Sequence, residues 1–186
     1  MLTWIILGVV VLVLIYGVAI YNRLVRLRQL VREGFSGITV QLRRRADLIP
    51  NLVSTVQGYA THERETLDQV IAHRGDATGA KGVAATAAAD NAMSAMLGRL
   101  FAVAEAYPDL KADENFRQLQ SELSTIEADL QSSRRYYNAT ARDLNTRIGS
   151  FPDMIFAGPM GFREEPYYED ADPAIQSAPK VEFQRP

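Results

Sequence analysis

Between Leu2 and Tyr21 the chain carries no charged side chain. As a helix rising about 1.5 Å per residue, such a run measures roughly 30 Å, the thickness of a bilayer's hydrocarbon core. It is apolar on every face, unlike a helix that buries one stripe in a soluble core. Trp4 near one end and Tyr16 and Tyr21 near the other suit the aromatic belts of the two membrane interfaces. A cleaved signal would want a basic leading segment, a shorter apolar run and small residues at the cut. Val18, Ala19, Ile20 and Tyr21 offer no such cut. The expectation is an uncleaved single-pass anchor, with the lipid bilayer as its partner through residues 2–21. Arg23, Arg26, Arg28 and Arg32 follow the span. Basic flanks stay on the cytoplasmic side, so the C-terminal domain is expected there, beneath the cell membrane.

The rest of the 186 residues suffices for one domain and a tail. A net charge of -2 lacks the basic field of a nucleic-acid binder, and nucleic acid is not expected as a partner. The charge is nevertheless graded. Seven arginines face Glu33 and Asp47 between Asn22 and Asp47, whereas seven acids face three bases from Asp153 to Pro186. The absence of cysteine removes disulfides, thiolate nucleophiles and thiolate metal sites.

Beyond the span, Leu24, Leu27, Val31, Phe35, Ile38 and Leu42 recur at helical spacing with no breaker before them, so the anchor is expected to continue as a stem. Gly34 and Gly37 weaken its middle by about 1 kcal/mol each against alanine. Pro50 lacks a backbone N–H and restricts Ile49, which places a helix boundary at Asp47–Pro50 with Asp47 as the next cap. A second helix follows from Leu52 to Gly75, then a loop from Gly75 to Gly82. A third runs through Met93, Met96, Leu97, Leu100 and Val103 to Pro108. The fourth, capped by Asp113, carries Phe116, Leu119, Leu123, Ile126, Leu130, Tyr137, Leu144 and Ile148 near a heptad stripe and stops at Gly149 and Pro152. No run alternates with strand period. The fold expected is all-α: an N-terminal transmembrane helix (1–22) continuing into an antiparallel four-helix bundle (23–152), with an irregular, proline-rich acidic tail (153–186).

The first two helices contain Val40-Gln41-Leu42-Arg43-Arg44-Arg45-Ala46-Asp47-Leu48-Ile49-Pro50-Asn51-Leu52, then Gly58-Tyr59-Ala60 and His62-Glu63. Later come Ala104-Glu105-Ala106-Tyr107-Pro108-Asp109-Leu110-Lys111, Asn115-Phe116, Arg135-Tyr136-Tyr137-Asn138, Ser150-Phe151-Pro152, Gly161-Phe162 and Pro166-Tyr167-Tyr168. In that order these words closely resemble the LemA family of bacterial membrane-anchored proteins, over nearly all of the chain after the anchor. The sequence departs from the family pattern at Gly34 and Phe35, where alanine and tryptophan are expected after an acidic residue such as Glu33. The resemblance implies one membrane span and a helical bundle. It brings no catalytic residue or cofactor, and it links the family to membrane proteolysis only by analogy.

Three constellations invite chemistry. His62, Glu63 and Asp68 share a helix face, the basis for an alternative reading as a metal-dependent hydrolase or regulator. Thr66 stands where an H-E-x-x-H helix needs its second histidine, so a solvated polar face is preferred. Gly75 to Gly82 falls short of a phosphate loop, with Ala80 for the second glycine and Gly82 for the hydroxyl residue. Arg43, Arg44 and Arg45 can engage phosphates or a partner, which supports a further alternative, a lipid-binding membrane-remodelling protein. Arg43 and Asp47 at i,i+4 equally form a surface ion pair. In the tail, Phe162, Tyr167 and Tyr168 are too aromatic for a solvated linker and are expected to dock on the bundle or on a partner. The leading expectation is a non-enzymatic, membrane-tethered interaction or scaffold protein without cofactor or metal. Its expected partners are a second copy of the chain or an unidentified membrane protein such as a protease.

Overall fold

The computed structural model describes residues 1–60 and 63–168, without the side chains of residues 76–78. Among these residues there are helices and no strands: α1 Leu2–Gln57, α2 Arg64–Gly79, α3 Val83–Ala104, α4 Pro108–Ala112, α5 Glu114–Gly149 and α6 Asp153–Ala157. α1 is the longest element, and its first turns stand clear of everything else. Every residue from Leu2 to Tyr16 is exposed, and burial begins at Gly17 and Ile20. This end is long and apolar enough to cross a membrane.

α5 runs antiparallel along α1. Gly34 lies against Tyr137, Arg44 reaches Asp129, and Tyr59 reaches Asp113, so the α5 numbers fall as the α1 numbers rise. The expected heptad stripe is the buried face of α5, with Phe116, Leu119, Leu123, Ile126, Leu130, Tyr137 and Leu144 all in the interior. Asp113 caps the helix as expected, its carboxylate accepting from the Phe116 amide at 2.9 Å.

The expected boundary at Asp47–Pro50 is not there. α1 runs through Pro50 and ends at Gln57, and α2 begins only at Arg64. Proline removes the N–H that would have bonded the carbonyl of Ala46, four residues back. Arg74 on α2 takes that place, its Nε donating to the Ala46 carbonyl at 3.0 Å. Ile49 and Leu52 on either side of the proline are fully buried, so packing holds the helix through it. The second break is also displaced, because α2 continues past Gly75 to Gly79 and the turn narrows to the residues before Gly82, whose φ is +83°. Of the two glycines expected to weaken the stem, Gly34 has a packing role. A Cβ built on it would sit 3.0 Å from the Tyr137 Cα, so the helices approach there as only glycine allows.

Two apolar clusters fill the bundle. The distal one joins Ile49, Leu52 and Val56 of α1 to Leu67 and Val70 of α2, Met93, Leu97 and Leu100 of α3, and Phe116 of α5. The proximal one, nearer the apolar end of α1, joins Ile20, Leu24, Val31 and Ile38 to Leu130, Tyr137 and Leu144, and includes Phe162 and Tyr168 from the tail. The tail is therefore part of the fold up to Tyr168; residues 169–186 lie outside the described residues.

Candidate functional site: an ion cluster between two cores and the strap that covers it

The register of three helices brings charge into the interior. Arg45 lies between Leu42 of the proximal cluster and Ile49 of the distal one, Asp90 between Ala87 and Met93, and Glu127 and Arg134 on either side of Leu130. The Asp90 side chain is completely buried. Its Oδ1 accepts from Arg45 Nη1 at 3.2 Å, and its Oδ2 accepts from Arg134 and, at 2.7 Å, from the Tyr168 hydroxyl. Arg45 also donates to Ser94 Oγ at 3.0 Å and lies 3.4 Å from Glu127, which Arg134 approaches from the other side at 3.8 Å. Two guanidiniums thus face two carboxylates, so the layer is neutral as a unit.

The electrostatics follow from burial. Burial works against the charge of Arg134, but Asp90 and Glu127 outweigh it and hold the guanidinium above its ordinary pKa. Burial, reinforced by the Asp90 charge, pushes the Tyr168 hydroxyl far above its usual range, so it stays a hydrogen-bond donor. Its ring lies under Arg134, with the guanidinium carbon 5.6 Å from the ring centre. The cluster, with the Asp90 side chain wholly out of solvent, ties α1, α3, α5 and the tail together.

Tyr168 reaches the cluster because residues 162–168 form a strap along α5. After α6 the chain turns at Gly161, whose φ of +76° favours glycine, and runs extended back over the helix. Asn145 donates to the Glu165 carbonyl and accepts from the Glu165 amide, both at 2.8 Å. Asn138 does the same with Tyr168, at 3.0 and 2.8 Å. Seven helical residues rise roughly 10.5 Å and three extended residues roughly 10 Å, so the two asparagines, two turns apart, match the strap's repeat. Between them the Tyr137 hydroxyl donates to the Pro166 carbonyl at 2.7 Å; burial, with Glu165 nearby, pushes that hydroxyl up to about 12. Along the strap's edge opens a groove of about 660 Å³, with Ala84, Ala88, Glu164 and Tyr167 among its lining.

The arginine triplet is divided by its register. Arg45 is buried in the cluster, whereas Arg43 and Arg44 are exposed, Arg44 bonding Gln41 at 3.0 Å and reaching Asp129 at 3.5 Å. Of the tail aromatics, Phe162 and Tyr168 are buried and Tyr167 remains outside. Phe162 packs edge-on against Tyr21, ring centres 5.7 Å apart, beneath the Arg28 guanidinium at 4.8 Å. His62 lies outside the described residues, while Glu63 accepts from the Tyr107 hydroxyl at 3.4 Å and Asp68 is exposed. Asp90, Glu127, Arg134, Asn138 and Asn145 were not singled out as site residues from the sequence. The available signal was a charged side chain at a core position on each of three helices: Arg45, Asp90 and Arg134.

Residues 34–183 match the family model described as LemA family. The magnetosome proteins MamQ 1 and MamQ 2 of Paramagnetospirillum magneticum are each 26% identical over 179 residues, covering 81% of this chain and 65% of theirs. Protein LemA of Metamycoplasma hominis is 27% identical over 132 residues, covering 70% of this chain and 60% of its own. The chain thus spans less than two thirds of the length of these relatives. The family match takes in α1 from Gly34, the whole ion cluster and the strap, and the chain belongs to the LemA family.

Proposed function

We propose that this is a non-enzymatic scaffold, anchored in the cell membrane by residues 2–21, whose cytoplasmic bundle offers a rigid surface to a second copy of the chain or to another membrane protein. The observation that carries this reading is the continuity of α1. One helix contributes the apolar span, the proximal cluster, Arg45 of the ion layer and the distal cluster. A bundle built on its own anchor has a fixed height and orientation at the bilayer, as a scaffold requires. The charged groups of the layer are committed to one another, which fits a role in holding shape. Relatives named after a cellular structure, the magnetosome, point the same way.

Of the residues singled out from the sequence for interaction, Arg43, Arg44 and Tyr167 are exposed. The test is photocrosslinking in cells of the full chain, with a crosslinking amino acid at Arg43 or Tyr167 and, as a control, at Gly98. Discrete adducts from the first two positions and none from Gly98 are expected. Monomer alone at both positions would count against a scaffold acting through these residues.

A further inference from the structure

We propose that the membrane-proximal end of the bundle is a phospholipid-binding surface, in which α6 inserts into the leaflet beside the span and an arginine cleft takes the phosphate of an anionic lipid. This rests on the membrane reading above and adds a second membrane contact and a ligand class to it.

The depth of α6 is fixed by its neighbours on α1. A Cβ built on Gly17 would lie 3.5 Å from the Phe156 ring and 4.0 Å from the Met160 methyl, and the Tyr16 and Phe156 rings are 6.5 Å apart. Gly17 precedes Tyr21, the last residue of the span, by about 6 Å of helix. Interfacial helices bury their apolar faces about 5–10 Å below the headgroup boundary, so α6 sits at their depth. The side it turns away from the bundle carries Met154 and Ile155, 54% and 58% exposed, and Phe151, just before the helix, is 78% exposed. Its acid, Asp153, points inward and is paired with Arg147 at 3.3 Å. In water this face would be an exposed apolar patch; at this depth it continues the surface of the span.

One step outward, Arg23, Arg26, Arg142 and Arg147 line a cleft of about 600 Å³ between α1 and α5, with Asp143 among them. Arg142 approaches Asp143 at 3.7 Å with both side chains largely exposed, and among the described residues no ion pair engages Arg23 or Arg26. Arg23 and Arg26 lie about 3 and 7.5 Å beyond Tyr21 along the helix, the level of lipid phosphates. Guanidiniums bind phosphate oxygens in paired hydrogen bonds, and basic pockets beside spans bind anionic headgroups. Arg43 to Arg45, by contrast, begin about 33 Å beyond Tyr21 and lie too far along α1 to serve this role.

The test uses the full chain in vesicles of phosphatidylcholine with phosphatidylglycerol. In a Trp4→Phe background, tryptophan at the exposed position 151 (Phe151→Trp) is expected to be quenched by lipids brominated high on the acyl chain and shielded from iodide. For the cleft, detergent-solubilised protein analysed by native mass spectrometry is expected to retain phosphatidylglycerol over phosphatidylcholine. Arg23→Gln/Arg26→Gln/Arg142→Gln should lower that retention on the order of tenfold while leaving the melting curve unchanged. Iodide quenching of position 151 in chain that floats with the vesicles would overturn the insertion and leave the anchor standing. Failure to float would overturn both. Retention unchanged by the triple substitution, or displacement of the lipid by millimolar inorganic phosphate, would overturn the headgroup site.

Discussion

Gly34 and Gly98 are both helical glycines, and their surroundings give them opposite roles. Around Gly34 the Tyr137 Cα, the Thr140 hydroxyl and the Tyr136 ring crowd the place of a Cβ at 3.0 to 3.4 Å, whereas nothing lies within 4 Å of it at Gly98. Gly34→Ala is expected to lower stability by about 1–3 kcal/mol through overpacking against backbone that cannot yield. Gly98→Ala should raise it by up to about 1 kcal/mol, because alanine only gains helix propensity there. Thermal melts of the two variants check the pair, and equal signs would refute the close approach of α1 and α5. Asp90 is a stricter case, since Asp90→Asn leaves two buried guanidiniums facing Glu127 alone. A loss of about 3–5 kcal/mol is expected, and a melting temperature within a degree or two of the parent would mean that the cluster is not closed in solution. Arg45 shows why residue type alone misleads. Beside Arg43 and Arg44 it reads as part of a surface patch, but it falls three residues after Leu42 and four before Ile49, both core positions, and so points inward.

The helices were legible as elements wherever apolar spacing was long and unbroken, as along α5, and their ends were legible where a cap or glycine had no competitor, as at Asp113 and Gly149. Pro50 was not, because the residue that supplies the missing hydrogen bond, Arg74, is 24 positions away and visible only once α2 is folded against α1. The strap was legible in part. Its aromatics announced docking, but the asparagines that hold its backbone match it only in space. Tyr137 and Tyr168 both have hydroxyls raised above the free value of 10, so the folded state favours their neutral forms. That contribution is fully present below about pH 10 and is lost as pH rises through the folded values. Between about pH 9 and about pH 11.5 the parent should therefore lose more stability than Tyr137→Phe/Tyr168→Phe, which has nothing to ionise at these positions. Denaturant melts at the two pH values measure the difference; parallel losses would mean that the hydroxyls are solvated and the strap is open.

At the scale of the whole molecule, the constraint is that span and bundle share one helix. From Tyr21 to Gln57 α1 advances about 54 Å, so the distal cluster stands far from the bilayer on the side to which the span delivers it. Arg23 and Arg26, from which the cytoplasmic side is expected, are the same arginines that line the membrane-proximal cleft, so the proposed orientation and the proposed lipid site rest on the same side chains. With no native cysteine, a single introduced thiol reports the orientation cleanly. Gly79 is the position of choice, because it is exposed and nothing lies within 4 Å of an added Cβ, so Gly79→Cys should neither disturb the fold nor hide the thiol. An impermeant maleimide applied to intact cells is expected to leave it unlabelled and to label it fully after permeabilisation. Labelling of intact cells would put the bundle outside, where the basic flank would face the outer leaflet, and the retention rule for positive charge would not hold for this span. The same variant carries a second readout, since Arg74 of α2 meets α1 at Ala46, about 37 Å beyond Tyr21, and a label at Gly79, five residues on, still stands about 30 Å from the span, beyond the reach of contact quenchers in the bilayer. Quenching of that label by bilayer-resident acceptors would show α1 bent between Tyr21 and Gln57, and Gly34 packed against Tyr137 is the contact such a bend would have to break.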